Sequence, residues 1–122
     1  MLRRTWLPIL GLTLIARVAP ASAAPEIVEL RYVAPDGCPA RAVVEAGILE
    51  RTPNVALGAP GRRVFAITIE PIADGFRGTL VVDDVADKEL SAPRCDDLAS
   101  ALALVTALAI DPTATLTPRP AP

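Results

Sequence analysis

The sequence predicts an α+β domain: a two-layer βαβββα sandwich with an antiparallel sheet, two helices on one face of it and one disulfide. Three observations carry that prediction. Segments near residues 26–34, 63–70 and 76–83 alternate apolar and polar side chains with the period of a strand. Two other segments, Arg41–Arg51 and Leu98–Ile110, are built from helix formers. Cys38 and Cys95 each stand just ahead of one of those helical segments.

Glu26–Ala34 (EIVELRYVA) opens the domain, with Val28, Leu30 and Tyr32 on one face and Glu29 and Arg31 on the other. Pro35-Asp36-Gly37 is turn chemistry. Pro39 suits the first position of a helix, where a missing N–H costs nothing. In Arg41–Arg51, Val44 and Ile48 are expected inward with Leu49 beside them, and Gly47 costs about 1 kcal/mol relative to alanine. Thr52-Pro53 ends the helix, because the residue before proline avoids helical angles. Asn54–Arg62 reads as a loop by its glycine and proline content.

Arg63–Glu70 is a strand with Phe65, Ile67 and Ile69 on one face. Ala73-Asp74-Gly75 turns it back into Phe76–Asp83, whose inward set is Phe76, Gly78, Leu80 and Val82. Asp83–Asp87 makes a second turn, and Lys88–Ala92 is a short, charged strand suited to a sheet edge. The helix after Cys95 carries no charge from Leu98 to Ile110. Those thirteen residues span roughly 20 Å, short of the ~30 Å hydrocarbon core of a bilayer. They therefore belong inside a globular core. On a helical wheel Leu98, Leu102, Leu104, Val105 and Leu108 gather on one side, expected on the sheet. Ala99, Ser100, Ala103, Thr106 and Ala107 gather opposite, on a small face that lets another backbone approach closely or meets solvent. Asp96 and Asp97 complement the dipole in the first turn.

Residues 1–23 read as a secretory signal: Arg3 and Arg4, an apolar run Trp6–Ala16, then Ala21-Ser22-Ala23 as the cleavage pattern. An uncleaved membrane anchor is the alternative, disfavoured by the short run and by Arg17 at its far end. The domain then occupies residues 24–111, and 112–122 form a Pro/Thr-rich disordered tail. All fourteen acidic residues but only nine of the twelve basic ones lie beyond residue 23, so the mature net charge is −5. That sign argues against a nucleic-acid or anionic-membrane surface, and the shortness of the apolar helix argues against stable membrane insertion after cleavage. Both cysteines lie in the exported part, where disulfides persist. A Cys38–Cys95 bridge would tie both helix starts together and stabilise by on the order of 4 kcal/mol in the chain-entropy model. Reduced thiols or an intermolecular bridge are the alternatives.

The chain has no histidine, which removes the commonest general base and zinc ligand. The mature serines, Ser91 and Ser100, sit in no nucleophile elbow. Gly58 and Gly61 match no phosphate-binding loop. Asp83, Asp84 and Asp87 lack the ligand spacing of a calcium loop and read as a solvated hairpin tip. Asp96 and Asp97 are accounted for by the helix dipole, and Arg62-Arg63 by a solvated loop. No catalytic, cofactor-binding or metal-ligating residue is therefore assigned.

Gly37-Cys38-Pro39, Arg51-Thr52-Pro53 and Gly75-Phe76-Arg77-Gly78 combine with Cys95, Ala101-Leu102-Ala103-Leu104 and Ala107-Leu108-Ala109-Ile110-Asp111-Pro112. Over residues 25–112 this pattern resembles a group of uncharacterised exported proteins of myxobacteria-like, high-GC bacteria. In similar proteins the domain often precedes a Pro/Ala-rich linker and further envelope sequence. The resemblance implies an exported envelope domain and no activity, cofactor or catalytic residue. The expectation is a non-catalytic, periplasmic or secreted binding or scaffold module acting on another envelope protein. The alternatives are a secreted enzyme inhibitor, a carboxylate-only accessory enzyme, or a remnant of a larger envelope protein.

Overall fold

A computed structural model describes residues 11–13 and 24–114. The signal and tail read from the sequence therefore lie outside the described residues, apart from 11–13 and 112–114. The chain runs β1 (Glu26–Val33), α1 (Arg41–Leu49), β2 (Val55–Leu57), β3 (Arg63–Ile72), β4 (Gly75–Val82), β5 (Val85–Ala92) and α2 (Cys95–Ile110). The fold is α+β, with one five-stranded sheet ordered β2-β1-β3-β4-β5.

The sheet is mixed rather than wholly antiparallel. β3, β4 and β5 form the expected antiparallel meander. β1, however, pairs in parallel with β3, Val28 opposite Arg63 through Val33 opposite Thr68. The cause lies in α1: a helix between neighbouring strands carries the chain back to the end where the first strand began, so the second runs the same way. β2 is the second departure. Val55–Leu57 was expected in a loop but pairs in parallel with Glu26–Val28. Three residues among glycines and prolines are too few to show a period. β5 also starts at Val85, ahead of the expected Lys88. Its turn is only Asp83-Asp84, both with positive φ (48° and 66°) as a tight primed hairpin turn requires.

Val28, Leu30, Phe65, Ile67, Ile69 and Leu80 project from one face of the sheet into a single core with Val44, Ile48, Leu98 and Leu102. The strand faces are those the alternation predicts. α1 is shorter than expected, and Leu49 is 38% exposed rather than beside Val44 and Ile48. The Thr52 hydroxyl donates to the Ile48 carbonyl (2.8 Å), closing the end of α1.

The face assignment of α2 holds in part: Leu102 packs on the sheet and the small face receives another backbone, but of the large face only Leu98 and Leu102 are buried. Its buried set is Leu98, Ala99, Leu102, Ala103, Thr106, Ala107 and Ile110, while Leu104, Val105 and Leu108 are only half-buried. α2 lies both on β4 and β5 and against α1. Its alanine side is therefore the seat of α1, and side-chain size is the wrong guide to which side is buried. At the crossing a Cβ on Gly47 would lie 3.2 Å from that of Ala103. On the sheet side Leu102 fills the space over Gly78, where any Cβ would run into it.

The disulfide is formed. Cys38 and Cys95 are bonded with their Cα atoms 5.4 Å apart, and neither cysteine is free. It ties the loop before α1 to the first residue of α2, the placement the sequence predicts.

Candidate binding surfaces

The acidic residues do not converge. Asp83, Asp84 and Asp87 are all exposed at or beside the β4–β5 turn. Asp83 Oδ1 accepts the Val64 N–H (2.8 Å), and the Asp83 N–H donates to the Val64 carbonyl (2.9 Å), so this carboxylate extends the β3–β4 ladder by one step. Asp96 and Asp97 are exposed in the first turn of α2, Asp97 3.8 Å from Arg94. Among the described residues no three His, Cys, Asp or Glu side chains are placed to hold a metal ion. No helix among them is long and apolar enough to cross a membrane.

Arg62 is exposed ahead of β3, as a solvated loop residue should be, but Arg63, read as part of the same solvated spot, points to the helix side from the first position of β3. Its guanidinium grips Glu26 with two bonds (2.9 and 2.8 Å) and donates to the Ile110 carbonyl (2.8 Å) and, longer, to that of Ala109 (3.4 Å). It also lies 5.3 Å from the centre of the Phe65 ring. One cation thus joins the starts of β1 and β3 to the unpaired carbonyls that end α2. The hydrogen bond from Arg63 holds the Glu26 carboxyl below its usual 4.5, and Glu26 in turn raises Arg63 further. The strand period contains the signal that finds this clamp, since Arg63 shares its parity with Phe65 and Ile67, and Glu26 with Val28 and Leu30. The three aromatics of the described residues sit largely as expected: Phe65 is fully buried and Phe76 half-buried. The half-buried Tyr32 donates to the Pro39 carbonyl (2.7 Å), and burial pushes its hydroxyl up.

Three surfaces remain for a partner. Between the helices runs an open groove of about 540 Å³ floored by Ala42, Ala46, Gly47 and Ala103, with exposed Val43 on its rim. On its α2 side it is lined by Ala99, Ser100 and Ala103, part of the small face of that helix. The second surface is the far face of the sheet, which no described helix covers. Its middle carries Ala66, Thr68, Thr79 and Val81. Exposed Ile27, Val33 and Ile72 stand at its margins. Ion pairs flank it, Glu29 with Arg31 on β1, and Arg77 with Glu70 and, more distantly (3.9 Å), Glu89 across β3, β4 and β5. The third surface is the outer flank of β5, the last strand of the order. Comparison with protein-family models, with curated proteins and with solved structures finds no match to this chain.

Proposed function

We propose that this chain is an exported, non-catalytic binding or scaffold module of the cell envelope that engages another envelope protein through the sheet side of its fold. The observation that carries the reading is the one-sided architecture. Both helices occupy one face of a five-stranded sheet, while the other face and the β5 flank have no packing partner among the described residues. The Cys38–Cys95 bridge suits a compartment outside the cytoplasm, in keeping with the signal read over residues 1–23. A disulfide-stapled core and paired backbone give such a face a fixed shape, which lowers the ordering cost of binding.

Site-directed photo-crosslinking tests this. A photoreactive residue replacing Thr68, in the middle of the far face, is expected to yield a discrete adduct in envelope extract. The same residue at Ser100, exposed on α2, is expected to yield none. No adduct from Thr68, or the same adducts from both positions, would overturn the reading.

A further inference from the structure

We infer that β5 is a docking edge for an extended, net-positive polypeptide segment, which adds to it antiparallel as a sixth strand. The inference rests on the binding-module reading and names the class of partner.

An edge strand presents unpaired N–H and C=O groups to one side, and the only shape that satisfies them in series is another strand. β5 is such an edge. It is last in the sheet order, pairs only with β4 among the described residues, and is exposed from Val85 through Glu89. At roughly 3.3 Å per residue its eight residues offer a ladder of about 26 Å. The other flank of the sheet is not equivalent. β2 has three residues, and where it leaves β1 the Arg41 guanidinium already takes the Leu30 carbonyl.

Register arithmetic argues against a second copy as the occupant. In an antiparallel pair, opposed residues share a face, so two copies of β5 related by a two-fold axis pair residues of like parity. Two symmetric registers engage most of the strand. One sets Lys88 against Lys88 and Asp87 against Glu89. The other sets Glu89 against Glu89. Both oppose like charges at the contact. The bulge beside Val81 and the helix-side position of Lys88 disfavour self-pairing further.

A strand of opposite charge avoids the like-charge contacts, and it can pair along Glu89–Ala92, beyond the bulge and Lys88. Asp83, Asp84, Asp87 and Glu89 surround the edge, with Lys88 the one cation of that stretch, and Glu89 is 64% exposed and only distantly paired with Arg77. A segment that alternates cations with apolar residues would set the cations opposite Glu89 and Ser91. Its apolar set would lie beside Leu90 and Ala92, which continue the core face.

The probe is a fluorescein-labelled octapeptide of alternating lysine and valine, titrated with the mature chain (residues 24–122). A second peptide of the same sequence is N-methylated at alternate residues, which keeps the charge and blocks one ladder. The expected result is saturable binding of the first, weakened about tenfold or more by N-methylation, with slowed amide exchange within Val85–Ala92. E89Q, at an exposed position, is expected to weaken binding about two- to fivefold. Equal binding of both peptides, no binding at about 1 mM, or protection confined to the helices would overturn the inference. If these results fail while the Thr68 adduct forms, strand addition falls and the binding-module reading stands. If neither appears, both fall.

Discussion

The contact of Leu102 with Gly78 is where the seating of α2 on the sheet is most directly testable. Leu102 is fully buried, and the space it fills exists because residue 78 has no side chain. Leu102→Ala removes buried methyl groups and leaves a cavity, for an expected loss of about 3–5 kcal/mol. Gly78→Ala places a methyl against the Leu102 side chain, an overpacking cost of about 1–3 kcal/mol. Because Gly78 does not need a positive φ, the same change stiffens the unfolded chain and returns about 0.4–1 kcal/mol. The net single-variant loss is therefore about 0–2.5 kcal/mol. In the double variant the added methyl occupies space that leucine has vacated, so both the strain and part of the cavity vanish. The coupling is expected to be about 1–2 kcal/mol in the compensating direction. Urea unfolding of the four proteins at one pH measures it, with unchanged m-values as the check on two-state behaviour. Losses that add to within about 0.3 kcal/mol would refute the reasoning, because the two positions would then not share a space.

The Arg63 clamp predicts that R63M lowers the melting temperature and speeds amide exchange in the last turn of α2, around Leu108–Ile110. Unchanged exchange there would remove the clamp from the account. Since the folded carboxyl of Glu26 lies below its usual 4.5, its stabilising effect is complete above that pH and is lost as pH falls through the folded value. Acid titration of stability should therefore show a component present in the wild type and missing in E26Q. Reduction of Cys38–Cys95, which closes a separation of 57 residues, is expected to cost on the order of 4 kcal/mol. Alkylation without reductant should add no mass, and two labelled thiols would contradict the bridge. The Thr106 hydroxyl is buried without a partner among the described residues, so T106V, which keeps the shape and removes the unpaired group, should be neutral or stabilise by up to about 1 kcal/mol. A loss of more than about 1 kcal/mol would show that the hydroxyl is satisfied.

The strand faces were legible because they depend on short-range pattern, and the disulfide because the cysteine count leaves one pairing within the chain. Val28, Leu30, Phe65, Ile67 and Leu80 are buried where a period of two puts them. The buried side of α2 was only partly legible. A wheel ranks its sides by side-chain size, whereas burial there is set by two neighbours, the sheet under Leu102 and α1 over Ala103. Arg63 was half legible. Its parity places it inward, yet its partners Glu26 and Ile110 lie 37 and 47 residues away, and nothing local to the sequence joins them.

By itself, then, the sequence determined the α+β class, the faces of its longer strands, the absence of histidine chemistry and the cysteine pairing. All of these follow from composition or from periods that repeat within a few residues. Tertiary structure alone decided that β1 lies parallel to β3, that Val55–Leu57 is a strand, that the backbone seated on the small side of α2 is α1, and that β5 begins at Val85 with its outer flank unpaired among the described residues. Each of those depends on which element lies beside which. That choice is made by packing over distances no local pattern spans, and it decides which surface is left open to a partner.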